Sequence, residues 1–316
     1  KPNRKAGTRE MYGNKPADFG NFWDDVDNDL AGISIAPEVE YIRMRSNNDA
    51  DLYGVRITSV GPYRLFAYLS IPKGEGPFPA IYYVPKNGSV HEVIPQGTAT
   101  GIRSRYVTFS VAGRGMRNSD KPYTAMYPGQ LTDGLESADT YVYRGIIADA
   151  LRGLEYLITR PEVDSTRIVA WGNDIAVLAA ARRNEITHVV STPAYLFDPV
   201  EYALKTSSYP LAEYSDFLRL YPDRKHDVES ILSMYNTRWH APEVKAETLL
   251  RADHSSGIYN PDVLSDLENG IDGNVAVHES ERSSFKDGLF AEKWITEKLF
   301  GADATAIVPE HWRNAL

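Results

Sequence analysis

Cysteine is absent from the 316 residues. That removes disulfides, thiolate zinc sites and thiol nucleophiles together. It does not threaten the fold, because a chain of this length buries enough apolar surface without covalent staples. No run approaches the roughly 18 uninterrupted apolar residues that a membrane span needs. The start, Lys1-Pro2-Asn3-Arg4-Lys5, is not an apolar signal segment and lacks an initiator Met, so it reads as a trimmed start. Positive charge is in deficit: 34 Lys and Arg stand against 43 Asp and Glu, a net charge of −9. Such a surface repels phosphate backbones and argues against nucleic acid as a partner, leaving neutral carbohydrates or small esters as ligands. No repeat, low-complexity tract or linker divides the chain. His91, His188, His226, His240 and His311 lack mutual metal-ligand spacing, so no metal and no cofactor is expected.

Hydrophobic residues make up 42% and charged residues 24% of the sequence, which excludes a disordered chain, a collagen and a coiled coil. Asp18–Leu30 places Phe22, Trp23, Val26 and Leu30 on one helical face. Leu52–Ser59 and Arg64–Ile71 read as a strand pair around Gly61-Pro62. Ala80–Val84 and Tyr106–Val111 are short apolar runs of the kind buried in parallel sheets. Tyr141–Leu157 is a helix with a wide apolar stripe, and Pro161 lies beyond its end. Arg167–Trp171 is a strand, Ile175–Ala181 a helix, and His188–Ser191, Thr248–Ala252 and Asn274–Val277 are further strands. Helices are predicted near Ala212–Leu220, Val228–Tyr235, Pro261–Leu267 and Phe285–Phe300.

This alternation predicts an α/β fold, a mostly parallel twisted sheet with helices on both faces. Ligands of such sheets sit beyond the carboxyl ends of the strands. The long segments Gly113–Asp139 and Leu196–Glu243 are therefore expected to roof a site. The whole chain, 1–316, reads as a single domain, with a helical insert at about 196–243.

Gly172-Asn173-Asp174-Ile175-Ala176, between a strand and a helix, has the layout of a nucleophile elbow, normally Gly-x-Ser-x-Gly. The central residue here is Asp174, and the Ile175 amide would face an oxyanion. Asp at this point also suits a simple helix cap. Pro16-Ala17-Asp18-Phe19-Gly20-Asn21-Phe22-Trp23, Tyr63-Arg64-Leu65 through Ile71-Pro72-Lys73, Phe78-Pro79-Ala80, Tyr141-Val142-Tyr143-Arg144 and Val163-Asp164 with Arg167-Ile168-Val169 follow one another at familiar spacing. In these residues the chain resembles the acetyl xylan esterase and cephalosporin C deacetylase family of α/β-hydrolases, from about Pro16 to about Phe300. The Gly113-Arg114-Gly115 turn resembles the family's structural Arg-Gly turn.

The resemblance implies an α/β-hydrolase fold, activity on acetylated sugars and, in some members, ring-shaped homo-oligomers. It leaves the compartment open, with a periplasmic or secreted location favoured over a cytoplasmic one. It also exposes departures. The family's elbow is Gly-Gly-Ser-Gln-Gly-Gly, so the nucleophilic Ser falls on Asp174. The family acid falls on Asp253, followed by His254-Ser255-Ser256 instead of Cys-Pro-Pro. The catalytic histidine falls on His278, directly after the last strand, or, by ungapped spacing, on Glu281. The oxyanion loop falls on Lys86 and Asn87.

An aspartate has no proton to yield at neutral pH, and an acyl-aspartate would be an anhydride, so ordinary deacetylation is expected to be impaired. Two arrangements are open: His278 oriented by Asp253 toward Asp174, or three carboxylates, Asp174, Asp253 and Glu281, together. The first would hold the imidazole protonated, and the second would raise one carboxyl pKa or attract a cation. Two roles follow: a pseudo-esterase or carbohydrate-binding protein that keeps the pocket, or a hydrolase of acylated sugars using these altered residues.

Overall fold

The computed structural model describes residues 14–87, 94, 97–116, 118–119, 125–252 and 258–308. Its strands are β1 (Glu38–Tyr41), β2 (Ala50–Ser59), β3 (Tyr63–Pro72), β4 (Phe78–Tyr83), β5 (Val107–Ala112), β6 (Val163–Gly172), β7 (His188–Ser191), β8 (Glu247–Ala252) and β9 (Val275–Glu279). They form one sheet in the order β1-β2-β3-β5-β4-β6-β7-β8-β9. β1, β2, β3 and β5 pair antiparallel in succession. From β5 through β4 to β9 every pairing is parallel. Parallel strands need crossover helices, which cover both faces; β5 accordingly is buried at every position.

The helices are α1 (Phe19–Ala31), α2 (Val142–Leu157), α3 (Asp174–Arg182), α4 (Pro199–Ala203), α5 (Ala212–Leu220), α6 (Lys225–Ser233), α7 (Thr237–His240), α8 (Pro261–Gly270) and α9 (Ser284–Phe300). α1 buries Phe19, Trp23, Val26 and Leu30, so its core face is led by Phe19, with Phe22 only partly buried beside it. α2 is buried along nearly its whole length. It carries Asp149, fully buried, whose carboxylate accepts from Arg114 Nη2 at 2.8 Å and from Arg114 Nε at 3.0 Å. Arg114 Nη2 also donates to the carbonyl of Val60 at 3.0 Å, so the Gly113-Arg114-Gly115 turn locks α2 to the end of β2. That is the structural role the resemblance implies for it.

Several boundaries differ from the sequence reading. β1 went unpredicted, because all four of its residues are exposed and no alternation marks it. β6 begins at Val163, before the polar Asp164–Thr166 stretch that conceals it. α4 and α7, of five and four residues, are too short to show a helical period.

On α9, Glu292 is 5% exposed and burial pushes its carboxyl up from 4.5 to about 7, despite bonds from Thr296 Oγ1 and the Ile307 amide. A folded pKa above the unfolded one stabilises fully below pH 4.5, and the stabilisation is lost as pH rises through about 7. The loss amounts to about 3 kcal/mol. Urea midpoints at pH 5 and pH 8 check it: Glu292→Gln should flatten the difference, and an unchanged difference would contradict it.

Candidate active site

The end of β4 lies beside the end of β6, with Tyr83 opposite Trp171 and the Val84 amide donating to the Trp171 carbonyl at 3.1 Å. The Lys86-Asn87 loop and the turn at Gly172–Asp174 therefore share the carboxyl edge of the sheet. Gly172 permits this approach: a Cβ there would stand 2.4 Å from Val84 Cγ2. Asp174 is the first residue of α3, at the strand-to-helix turn, as the elbow pattern predicts. The cap itself is Asn173, so the alternative assignment of that role to Asp174 is corrected by one residue.

Asp174 is fully buried. Its Oδ2 accepts from the backbone amides of Ala194 at 2.8 Å and Tyr195 at 3.0 Å, both in the loop after β7. Its Oδ1 accepts from Thr237 Oγ1 of α7 at 3.2 Å. Burial raises the carboxyl pKa, and these donors oppose the rise by favouring the anion. Both oxygens are thus engaged by the protein. The backbone is relaxed as well: among the described non-glycine residues only Ala36, Asp198 and Arg282 have positive φ, so the turn lacks the strained geometry that presents an elbow nucleophile.

The two sources of oxyanion donors are also engaged. The Ile175 amide donates to Asn173 Oδ1 at 3.0 Å, an ordinary helix cap. Asn173 Nδ2 donates to the Tyr195 hydroxyl at 2.7 Å, and the Asn87 backbone amide donates to the same hydroxyl. Tyr195 is buried, and desolvation together with the nearby Asp174 raises its pKa. One tyrosine therefore ties the loop after β7 to the elbow at both ends: its amide to Asp174, its hydroxyl to Asn173. Sequence reasoning missed it, since Thr192-Pro193-Ala194-Tyr195 matches no motif. Lys86 is exposed, and Asn87 Nδ2 donates to the Tyr209 hydroxyl at 3.2 Å.

The remaining expected site residues lie apart in their bonding. His278 lies inside β9, the edge strand, one residue before its end and not after it, and its Nε2 meets Asp287 Oδ1 of α9 at 2.9 Å while its ring stacks on Phe290 at 4.0 Å. Asp287 also accepts from Ser280 Oγ at 2.6 Å and the Glu281 amide at 3.0 Å. Those donors hold its carboxyl below the usual range against the upward push of burial. The imidazole's carboxylate is Asp287, a residue the sequence did not suggest. The Glu281 side chain is exposed and pairs with Lys286. Neither His278 nor Glu281 bonds to Asp174 among the described residues. Asp253 and His254 lie outside the described residues, and no cluster of three His, Asp or Glu that could hold a metal occurs among those described.

The family model for acetyl xylan esterase (AXE1) matches residues 8–267. The chain is 20% identical over 203 residues to acetyl esterase Axe7A of Xylanibacter ruminicola, covering 60% of this chain and 46% of that protein. It thus spans about half the length of this curated relative. Its fold is similar to the acetyl xylan esterase from Paenibacillus sp. R4, with a TM-score of 0.79 at 19% identity over 89% of this chain and 94% of the other. It is likewise similar to acetyl xylan esterase 1 from Thermoanaerobacterium sp. JW/SL YS485, with a TM-score of 0.78 at 20% identity over 90% and 95% of the two chains. At these identities the likeness shows the fold, that of the α/β-hydrolases.

Proposed function

The chain belongs to the acetyl xylan esterase family, and from that premise we propose that it is a member whose elbow holds the fold together instead of attacking an ester. Its ligand class remains the family's carbohydrate esters, and its role is binding. The observation that carries this reading is the Asp174 carboxylate, fully buried with both oxygens bonded to the protein.

Three features among the described residues oppose serine-esterase chemistry. A carboxylate gives up no proton to a base, and attack on an acetyl carbon would form an anhydride. The Ile175 amide already serves the Asn173 cap, so it is not turned toward a developing oxyanion. His278 bonds to Asp287, which turns this imidazole toward α9. Asp174 instead joins three segments, the start of α3, the loop after β7 and the start of α7, at the place where a relative would bind substrate.

The test is turnover of acetylated xylo-oligosaccharide by the wild type and by Asp174→Ser. Both should remain near the level that binding alone supplies, on the order of 10³–10⁴-fold over water at most. The serine should restore nothing, because the Asn173 cap persists. Robust wild-type turnover, abolished in Asp174→Ala that still folds, would instead establish an altered hydrolase with a working carboxylate.

A further inference from the structure

On the roof of the carboxyl edge, two exposed tyrosines are held by one helix. Tyr127 is 65% exposed and Tyr209 67% exposed, with Met126 next to Tyr127 in sequence at 86%. The Tyr127 hydroxyl donates to Asp216 Oδ2 at 3.0 Å and accepts from Arg219 at 3.3 Å. The Tyr209 hydroxyl accepts from Asn87 Nδ2 at 3.2 Å and donates to Glu213. Glu213 and Asp216 are three residues apart on α5, so they lie on one face of the helix, a turn from each other. Gly129 makes room for this arrangement: at φ +157° its missing Cβ would sit 2.2 Å from Glu213 Cδ.

We infer that Tyr127 and Tyr209 form a stacking platform for a neutral pyranose chain. The inference rests on the carbohydrate reading above and adds where the sugar lies. An aromatic face offers apolar area to the C–H face of a sugar ring, while its hydroxyl remains polar. Exposed side chains usually lose rotamer freedom on binding; these rings are already fixed by their hydroxyl bonds, so stacking on them costs less. The two carboxylates at the hydroxyls of these rings and the net charge of −9 act against polyanionic glycans, which makes the ligand a neutral one.

The test uses the full chain with xylohexaose, which carries no ester and so reads binding without turnover. Calorimetry should give a Kd that rises at least about tenfold in Tyr127→Ala/Tyr209→Ala and by less in Tyr127→Phe/Tyr209→Phe, which keeps the rings but loses the hydroxyl bonds that fix them. Polygalacturonate should not bind. If the alanine variant fails to fold, nitration of the wild type by tetranitromethane decides: xylohexaose should protect Tyr127 and Tyr209 from modification. A wild type that binds no xylohexaose, an alanine variant that binds it unchanged, or rings left unprotected would overturn the platform. So would a native oligomer that falls to monomer in the alanine variant, which would make the patch a contact between copies. Ester turnover reports on Asp174 separately, so either reading can fail alone.

Discussion

Asp174→Ala is expected to lower stability by roughly 3–5 kcal/mol. The substitution leaves the buried amides of Ala194 and Tyr195 and the Thr237 hydroxyl without their acceptor. Each such orphan costs about 1–3 kcal/mol, and the removed carboxylate's own burial penalty offsets part of the sum. Asp174→Asn should cost far less, about 1 kcal/mol, because its amide oxygen still accepts from both backbone amides and its nitrogen can donate to Thr237. Urea denaturation of the three proteins at pH 7 checks this order. An alanine variant as stable as the wild type would mean that the carboxylate holds nothing together.

Acid should unfold the protein chiefly through His240. It is 1% exposed in α7, edge-on to Phe19 at 4.8 Å and Trp23 at 5.0 Å on α1. Burial drives its pKa down from 6.5 to about 3; the charges of Arg182 and Lys15 push the same way, and a bond to the Met234 backbone opposes them. A folded pKa below the unfolded one gives stability that is fully present above pH 6.5 and lost as pH falls through about 3. The full loss is about 5 kcal/mol, of which about 3 kcal/mol is gone by pH 4. His240→Leu, apolar and of similar volume, should remove that slope while leaving stability at pH 7 within about 1.5 kcal/mol. Glu292 works in the opposite direction between pH 4.5 and about 7, so the Glu292→Gln background should show the His240 loss more steeply. Stability curves of His240→Leu and wild type that stay parallel down to pH 4 would contradict the assignment.

Much of the fold is legible from local pattern. The alternation of apolar runs and amphipathic helices foretells β4 through β9 and the long α2, because buried parallel strands and covering helices must be apolar in those periods. The strand-to-helix position of Asp174 follows from the same local signals. What α3's first turn does with that residue does not. Ala194 and Tyr195 lie 20 and 21 residues away, and Thr237 lies 63 away. Hydrogen bonds at such separations are set by packing, to which no local period points. The same holds for His278: its strand is predictable, but its partner Asp287 belongs to the next helix. Glu281 falls at the family's histidine by counting, yet a residue in the turn between β9 and α9 is free to face solvent, and it does so with Lys286. Tyr127 and Tyr209 sit in turns before prolines, where exposure has no sequence signature.

The most direct measurement is p-nitrophenyl acetate hydrolysis by wild type and Asp174→Asn, side by side with folded controls. A buried structural carboxylate predicts equal rates for the two, both close to background. Wild-type turnover well above background that falls about 100-fold or more in Asp174→Asn would show that Asp174 reaches the substrate and carries the reaction.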